Sequence, residues 1–132
     1  MTPARGDLTA YRWVPFDETI PFEGIDFTGA VSAMEVRAYR DAPGAPLISL
    51  GALASGQGIS ITTSSVNGLV TSNVRIRINE TTIEALLPFP ASGVEPGASV
   101  ELVYDYVNTT TAFGKRRWVE GAFTIEPGST QA

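Results

Sequence analysis

Residues 31 to 40 read Val31-Ser32-Ala33-Met34-Glu35-Val36-Arg37-Ala38-Tyr39-Arg40. Met34, Val36 and Ala38 fall on one parity, and Glu35, Arg37 and Tyr39 on the other. A strand sends alternate side chains to opposite faces, so this alternation describes a strand with one buried and one wetted face. Asp41-Ala42-Pro43-Gly44 follows, a turn in which Pro and Gly supply the backbone angles. Leu47, Ile48 and Leu50 then form the return strand.

The same period recurs further along. Val74, Ile76 and Ile78 alternate with Arg75, Arg77 and Asn79. Over residues 100–107, Leu102, Tyr104 and Tyr106 alternate with Glu101, Val103, Asp105 and Val107. In the last strand Arg117, Val119, Phe123 and Ile125 share one parity; Arg116, Trp118, Glu120 and Thr124 share the other. Those two strands read as a hairpin turning between Thr109 and Gly114.

Shorter signals fill the gaps. Gly56-Gln57-Gly58 leads into a short strand at Ile59 and Ile61, and Asn67-Gly68 marks a hairpin turn. Residues 17 to 30 are turn-rich, with a short strand and an anchored loop around Ile20, Phe22, Ile25 and Phe27. Thr81-Thr82-Ile83-Glu84 matches a capping box and predicts one short helix through Ile83, Leu86 and Leu87, stopped by Pro88. A loop over 88–99 follows. The 13 Gly and 9 Pro punctuate segments rich in Thr, Val and Ile, the composition of an all-β sandwich or barrel. We expect a mainly β, Ig-like antiparallel β-sandwich with one short helix, a closed barrel being the alternative that spacing alone leaves open. Residues 1–132 form one domain, with 1–19 as an N-terminal strand or docking arm and 128–132 as a loose tail.

Composition narrows the chemistry. A 132-residue chain can fold on a hydrophobic core without staples, and with no Cys there is no disulfide, thiolate metal site or Cys nucleophile. With no His there is no Ser-His-Asp triad and no His-bearing zinc site. A net charge of −5 argues against nucleic-acid binding, which needs a basic face. Gly24, Gly29 and Gly68 make no phosphate loop, since no Gly-Lys-Ser/Thr occurs. The opening Met-Thr-Pro-Ala-Arg-Gly-Asp lacks an apolar region, predicting no secretory leader, and no apolar run approaches the ~20 residues of a membrane span.

Several residues remain as candidates. Asp7, Asp17, Glu18, Glu23 and Asp26 are read as solvated loop carboxylates, because their spacing matches no calcium loop. Glu101, Asp105 and Glu120 are the only choice for carboxylate catalysis of a glycosidase kind; cross-strand pairing with Arg116 or Arg117 is the ordinary alternative. Tyr11, Trp13, Tyr39, Tyr104, Tyr106 and Trp118 either stack on sugars or fill a core and interface. Lys115-Arg116-Arg117 reads as a solubilised hairpin edge. Asn79-Glu80-Thr81 and Asn108-Thr109-Thr110 fit a glycosylation sequon. Nothing points to a catalytic residue, cofactor or metal.

Three phrases carry a resemblance: Ile25-Asp26-Phe27-Thr28-Gly29-Ala30 before a strand; Val103-Tyr104-Asp105-Tyr106-Val107; and Gly114 followed by Trp118-Val119-Glu120-Gly121-Ala122-Phe123-Thr124-Ile125-Glu126-Pro127, with Thr130 after. Over most of residues 20 to 130 the layout resembles small tail- or baseplate-associated β-sandwich proteins of tailed phages and prophages. The resemblance implies a structural virion component, placed by contacts with other tail or baseplate proteins, in symmetric copies forming a ring, and assembled in the bacterial host cytoplasm. It implies no catalytic residues and no membrane or nucleic-acid partner. Tyr11, Trp13, Phe16 and Trp118 are the candidate interface, the arm adding to a neighbour's sheet edge or serving as the first strand of its own sheet. A carbohydrate-binding or host-surface adhesion module is the alternative. The chain departs from the family over Leu53 to Ser72, a Ser- and Thr-rich stretch read as an added hairpin or an interaction loop.

Overall fold

The computed structural model describes residues 2–85 and 97–131. The expected helix positions Leu86 and Leu87, the stop at Pro88 and the loop up to residue 96 lie outside them.

The elements are β1 (Ala4–Arg5), β2 (Leu8–Tyr11), β3 (Phe16–Glu23), β4 (Val31–Arg37), β5 (Ile48–Leu50), β6 (Gly58–Val66), β7 (Leu69–Ile78), α1 (Glu80–Ala85), β8 (Val100–Thr110) and β9 (Gly114–Glu126). Sheet A runs β1-β9-β8-β4-β5, with β2 also on β9; sheet B runs β3-β7-β6. The chain changes sheet after β2, β3, β5 and β7, the crossing pattern of an Ig-like sandwich. Its strand pairings are antiparallel except for β1 and β2, which lie parallel to β9, and a single parallel bridge joins Ala52 to Ile59.

Alternation builds the core. Met34 and Val36 of β4, Leu102, Tyr104 and Tyr106 of β8, and Phe123 and Ile125 of β9 face Val74, Ile76 and Ile78 of β7 and Ile59 of β6 in one buried cluster. Each large apolar side chain so enclosed contributes about 1.5–3 kcal/mol. The β6–β7 turn has Asn67 at φ 52° and Gly68 at φ 79°, the paired left-handed angles of a two-residue hairpin.

Five expectations change. The strand β4 stops at Arg37, so Ala38, expected on its buried face, is exposed and Tyr39 lies in the following loop. The short strand expected around Ile20 and Phe22 is the eight-residue β3; Pro21 fits within it because β3 is an edge strand, where a missing amide hydrogen is tolerated. The segment β6 is nine residues long, not short, so Leu53 to Ser72 holds most of a hairpin. No capping box forms. Asn79 precedes the helix, its carbonyl accepting from Thr82 and Ile83, and Glu84 turns away to Arg12. The final strand does not keep one parity. Tyr106 pairs with Val119 and Val107 with Arg117, so a β-bulge puts Trp118 and Val119 side by side on the buried face.

Candidate interaction surfaces

The arm is the first strand of its own sandwich. Its two short strands continue sheet A beyond β9, in register Ala4 with Val119 and Leu8 with Phe123. The break between them, Gly6-Asp7, is pinned from three sides. The Gly6 amide donates to the Glu120 carbonyl at 3.0 Å. The Tyr104 hydroxyl donates to the Gly6 carbonyl at 2.5 Å, and the Ala122 amide donates to Asp7 Oδ1 at 2.9 Å. Gly121 sits beneath this break: a Cβ there would meet the Gly6 carbonyl, and Asp7 Oδ1 at 2.7 Å. Burial pushes the Tyr104 phenol up to about 12, so it is protonated and a donor at neutral pH.

At residues 12–15 the chain leaves sheet A for sheet B. Trp13 adopts φ 73°, a costly angle for a large side chain, and its amide donates to Glu84 Oε2 at 3.0 Å. The Arg12 guanidinium meets Glu84 Oε1 at 2.9 and 2.5 Å and lies 4.4 Å from the Trp13 ring centre. Gly128 packs against this turn, where a Cβ would stand 3.3 Å from the Arg12 carbonyl oxygen.

The four candidate interface residues therefore separate. Tyr11 is 57% exposed and Trp13 is half-buried, whereas Phe16 and Trp118 are each 4% exposed. The latter two side chains belong to the chain's own core, which corrects their reading as presented docking groups. Phe16 packs on Phe123 at 5.4 Å between ring centres. Trp118 meets Phe27 and Phe113 edge-on at 5.0 and 5.4 Å. Its Nε1 donates to Asn108 Oδ1 at 2.7 Å; Asn108 Nδ2 donates to the Tyr106 hydroxyl, which shares a 2.8 Å bond with Ser32. This polar chain crosses the inner face of sheet A with its partners satisfied. The Asn108 sequon is consequently enclosed, and Tyr104, Tyr106 and Trp118 present no ring face to a sugar. Tyr39, 60% exposed, stands apart in the loop after β4.

Two of the three candidate carboxylates pair with arginines. Asp105 meets Arg117 at 3.0 Å, and Glu120, directly across from Asp105, is bonded by Arg40. The Arg40 bond holds the Glu120 carboxyl below its ordinary range, the opposite of the raised value a glycosidic acid uses. Glu101 stands exposed opposite Thr124. Asp17 takes two bonds from Arg75, at 2.9 and 2.6 Å, which lower it, and Asp26 is lowered by its bonds from Thr28. The Arg116 guanidinium lies over Phe113 at 5.2 Å. Among the described residues no group of three His, Cys, Asp or Glu side chains is placed to hold a metal ion, and no helix is long and apolar enough to cross a membrane.

One concavity of about 310 Å³ is lined by Pro3, Lys115, Arg116 and Arg117, and two more lie elsewhere among the described residues. Of those two, one, about 260 Å³, lies on the charged outer face of sheet A among Glu35, Arg37, Arg40, Asp105 and Arg117. The other, about 430 Å³, is a groove between residues 27–32 and β6, lined by Phe27, Ala30, Val31, Ile59, Ile61 and Thr63. Val31 on its rim is 73% exposed, and Val66 and Leu69 at the hairpin tip are 69% and 53% exposed. Val31 lies on the outward parity of β4, with Glu35 and Arg37. For Val66 and Leu69 the sequence signal is the stretch from Ala42 to Val74, which contains no Asp, Glu, Lys or Arg.

No protein-family model matches the chain, and no curated protein matches it.

Proposed function

We propose that this chain is a non-catalytic structural subunit of a tailed-phage virion, sited in the tail or baseplate. It works by contact with other tail or baseplate proteins and with copies of itself arranged in a ring. The observation that carries this reading is the use made of the three phrases that carry the resemblance to the phage family. They supply the joints of the sandwich. Thr28-Gly29 turns the chain into β4, with Gly29 at φ 77° and Asp26 accepting from the Thr28 amide. Tyr104 and Gly121, directly opposite each other, seat the N-terminal arm. Trp118 anchors the bulge that closes the β8–β9 end of the core.

The rest of the chemistry supports the same reading. Asp105 and Glu120 are engaged in ion pairs with Arg117 and Arg40, while the surface offers open backbone edge and isolated apolar groups, the material of protein contacts. Peptide mass spectrometry of purified particles tests it. The expected result is this chain at several copies per particle. Its absence from intact, infectious particles overturns the reading.

A further inference from the structure

We propose that β6 pairs antiparallel with β6 of a second copy of this chain, across a two-fold axis at Thr63. The inference goes beyond the virion reading and does not rest on it.

The outer side of β6 is an open hydrogen-bonding edge. In an antiparallel ladder, successive residues bond alternately to the two sides of the strand. Ile59 bonds outward, its amide to the Gly51 carbonyl and its carbonyl to the Leu53 amide. The ladder with β7 continues without a bulge to Val66, so Ile61, Thr63 and Ser65 also turn their amides and carbonyls outward. Among the described residues none bonds to these groups. The Gly51–Leu53 segment ends the free stretch on one side and the Asn67-Gly68 turn ends it on the other.

The occupant follows from charge and register. The chain carries −5, and a second copy carries the same. Two such copies meet without opposed carboxylates where neither has any, and residues 42–74 supply that surface. The opposite edge of the same sheet, β3, turns Asp17, Thr19, Pro21 and Glu23 outward and resists pairing through both charge and the missing Pro21 amide hydrogen. The β6 edge is complementary to itself. With Thr63 facing Thr63 of the second copy, Ile61 faces Ser65, and every outward donor meets an outward acceptor. Thr–Thr pairs stabilise sheets, and the added strand walls the groove beside Ile61 and Val31. A two-fold contact of this kind is closed, so the ring proposed above uses a different surface.

Cross-linking tests the register directly, because the chain has no Cys of its own. A hydrogen-bonded antiparallel pair holds its Cα atoms ~5.5 Å apart, within disulfide range. Mild oxidation of the Thr63→Cys chain should give a disulfide-linked species of twice 14.0 kDa. The Ser64→Cys control faces Thr62 of the second copy and should cross-link at least tenfold more slowly. In light scattering over a concentration series, the unmodified chain should approach twice its monomer mass. Thr63→Pro removes only an outward amide hydrogen, so it should stay monomeric while keeping its circular dichroism spectrum. Equal cross-linking of the two cysteine variants, or a folded Thr63→Pro chain that still dimerises, overturns the proposal. If Thr63→Pro does not fold, the cysteine pair decides alone. A chain that fails to pair yet is found in particles sinks this contact and leaves the virion reading standing.

Discussion

The strands β3 and β6 flank the same central strand, and each leaves a row of amides and carbonyls on its outer side. On β3 that row is interrupted by Pro21 and bordered by Asp17, Glu18 and Glu23, with Asp17 in turn neutralised by Arg75. On β6 the corresponding positions are Ile61, Thr63 and Ser65, with no charge nearby in sequence. Exposed edges invite foreign strands, and charge and proline are the usual means of refusing them. Sheet A adds a third case: β9 is covered by the chain's own arm, itself split into two short strands at Gly6-Asp7. One molecule thus shows a guarded edge, a covered edge and a bare one, and the difference lies in a few side chains each.

Uncovering the covered edge should have the largest effect. Gly121→Ala places a methyl against the Gly6 carbonyl, so the arm must shift off β9. Overpacking of this kind costs about 3 kcal/mol, which should lower Tm by about 10 °C in a thermal melt. Next is Glu84→Ala, which strips Arg12 and the Trp13 amide of their shared acceptor where the arm crosses to sheet B. A loss of about 1–3 kcal/mol is expected in urea titration, with m unchanged.

Tyr104→Phe removes the hydroxyl bond to Gly6 and should cost about 1 kcal/mol at neutral pH. It also carries a pH signature. The folded-state value, raised to about 12 from 10.0, means Tyr104 contributes stability fully present below about pH 10 and lost as pH rises towards 12. Stability measured from pH 9 to 12 should therefore fall less steeply in the Phe variant. Equal slopes would show that the arm does not depend on this phenol.

The guarded edge should respond least. Asp17 has a depressed folded value, so its contribution is present above its ordinary value near 3.8 and lost as pH falls below it. The pair with Arg75 is solvent-exposed, and Asp17→Asn should leave the melting midpoint nearly unchanged at neutral pH. Combining it with Glu18→Gln, Glu23→Gln and Pro21→Thr makes β3 resemble β6. That chain should gain self-association in light scattering, and a strictly monomeric result would mean that charge and proline do not explain the difference between the edges.

Much of this architecture was legible in the sequence because alternation is a local property. Met34 and Val36, Val74, Ile76 and Ile78, and Leu102, Tyr104 and Tyr106 are buried as their parity requires, whereas Ala38 is exposed because β4 ends before it. The failures have non-local causes. Trp118 turned inward because a bulge opposite Tyr106 inserts a residue, and no period within β9 announces it. Glu84 satisfies a capping box on paper, yet the Arg12 side chain, brought over by the fold, offers a stronger partner. Within the turn-rich stretch 17–30 the sequence predicts only a short strand, because Pro21 weighs against a long one until the strand is known to be at an edge. The interface reading of Tyr11 to Phe16 treated one segment as a unit, although the chain changes sheets within it. The bare β6 edge could have been suspected from its missing charges, but which side of the strand is free depends on the ladder.

The parallel seat of β2 on β9 also has a consequence in time. Asp7 and its partner Ala122 are separated by 115 residues. At synthesis rates of about 5–20 residues per second, the first strands wait on the order of 6–23 s after they are made before β9 exists to receive them. The β6–β7 hairpin, joined by two residues, forms within microseconds of its emergence. During synthesis, sheet B therefore has its central pair while the arm is still an unpaired strand at the growing protein's surface, and the ribosome's pace decides how long it stays so.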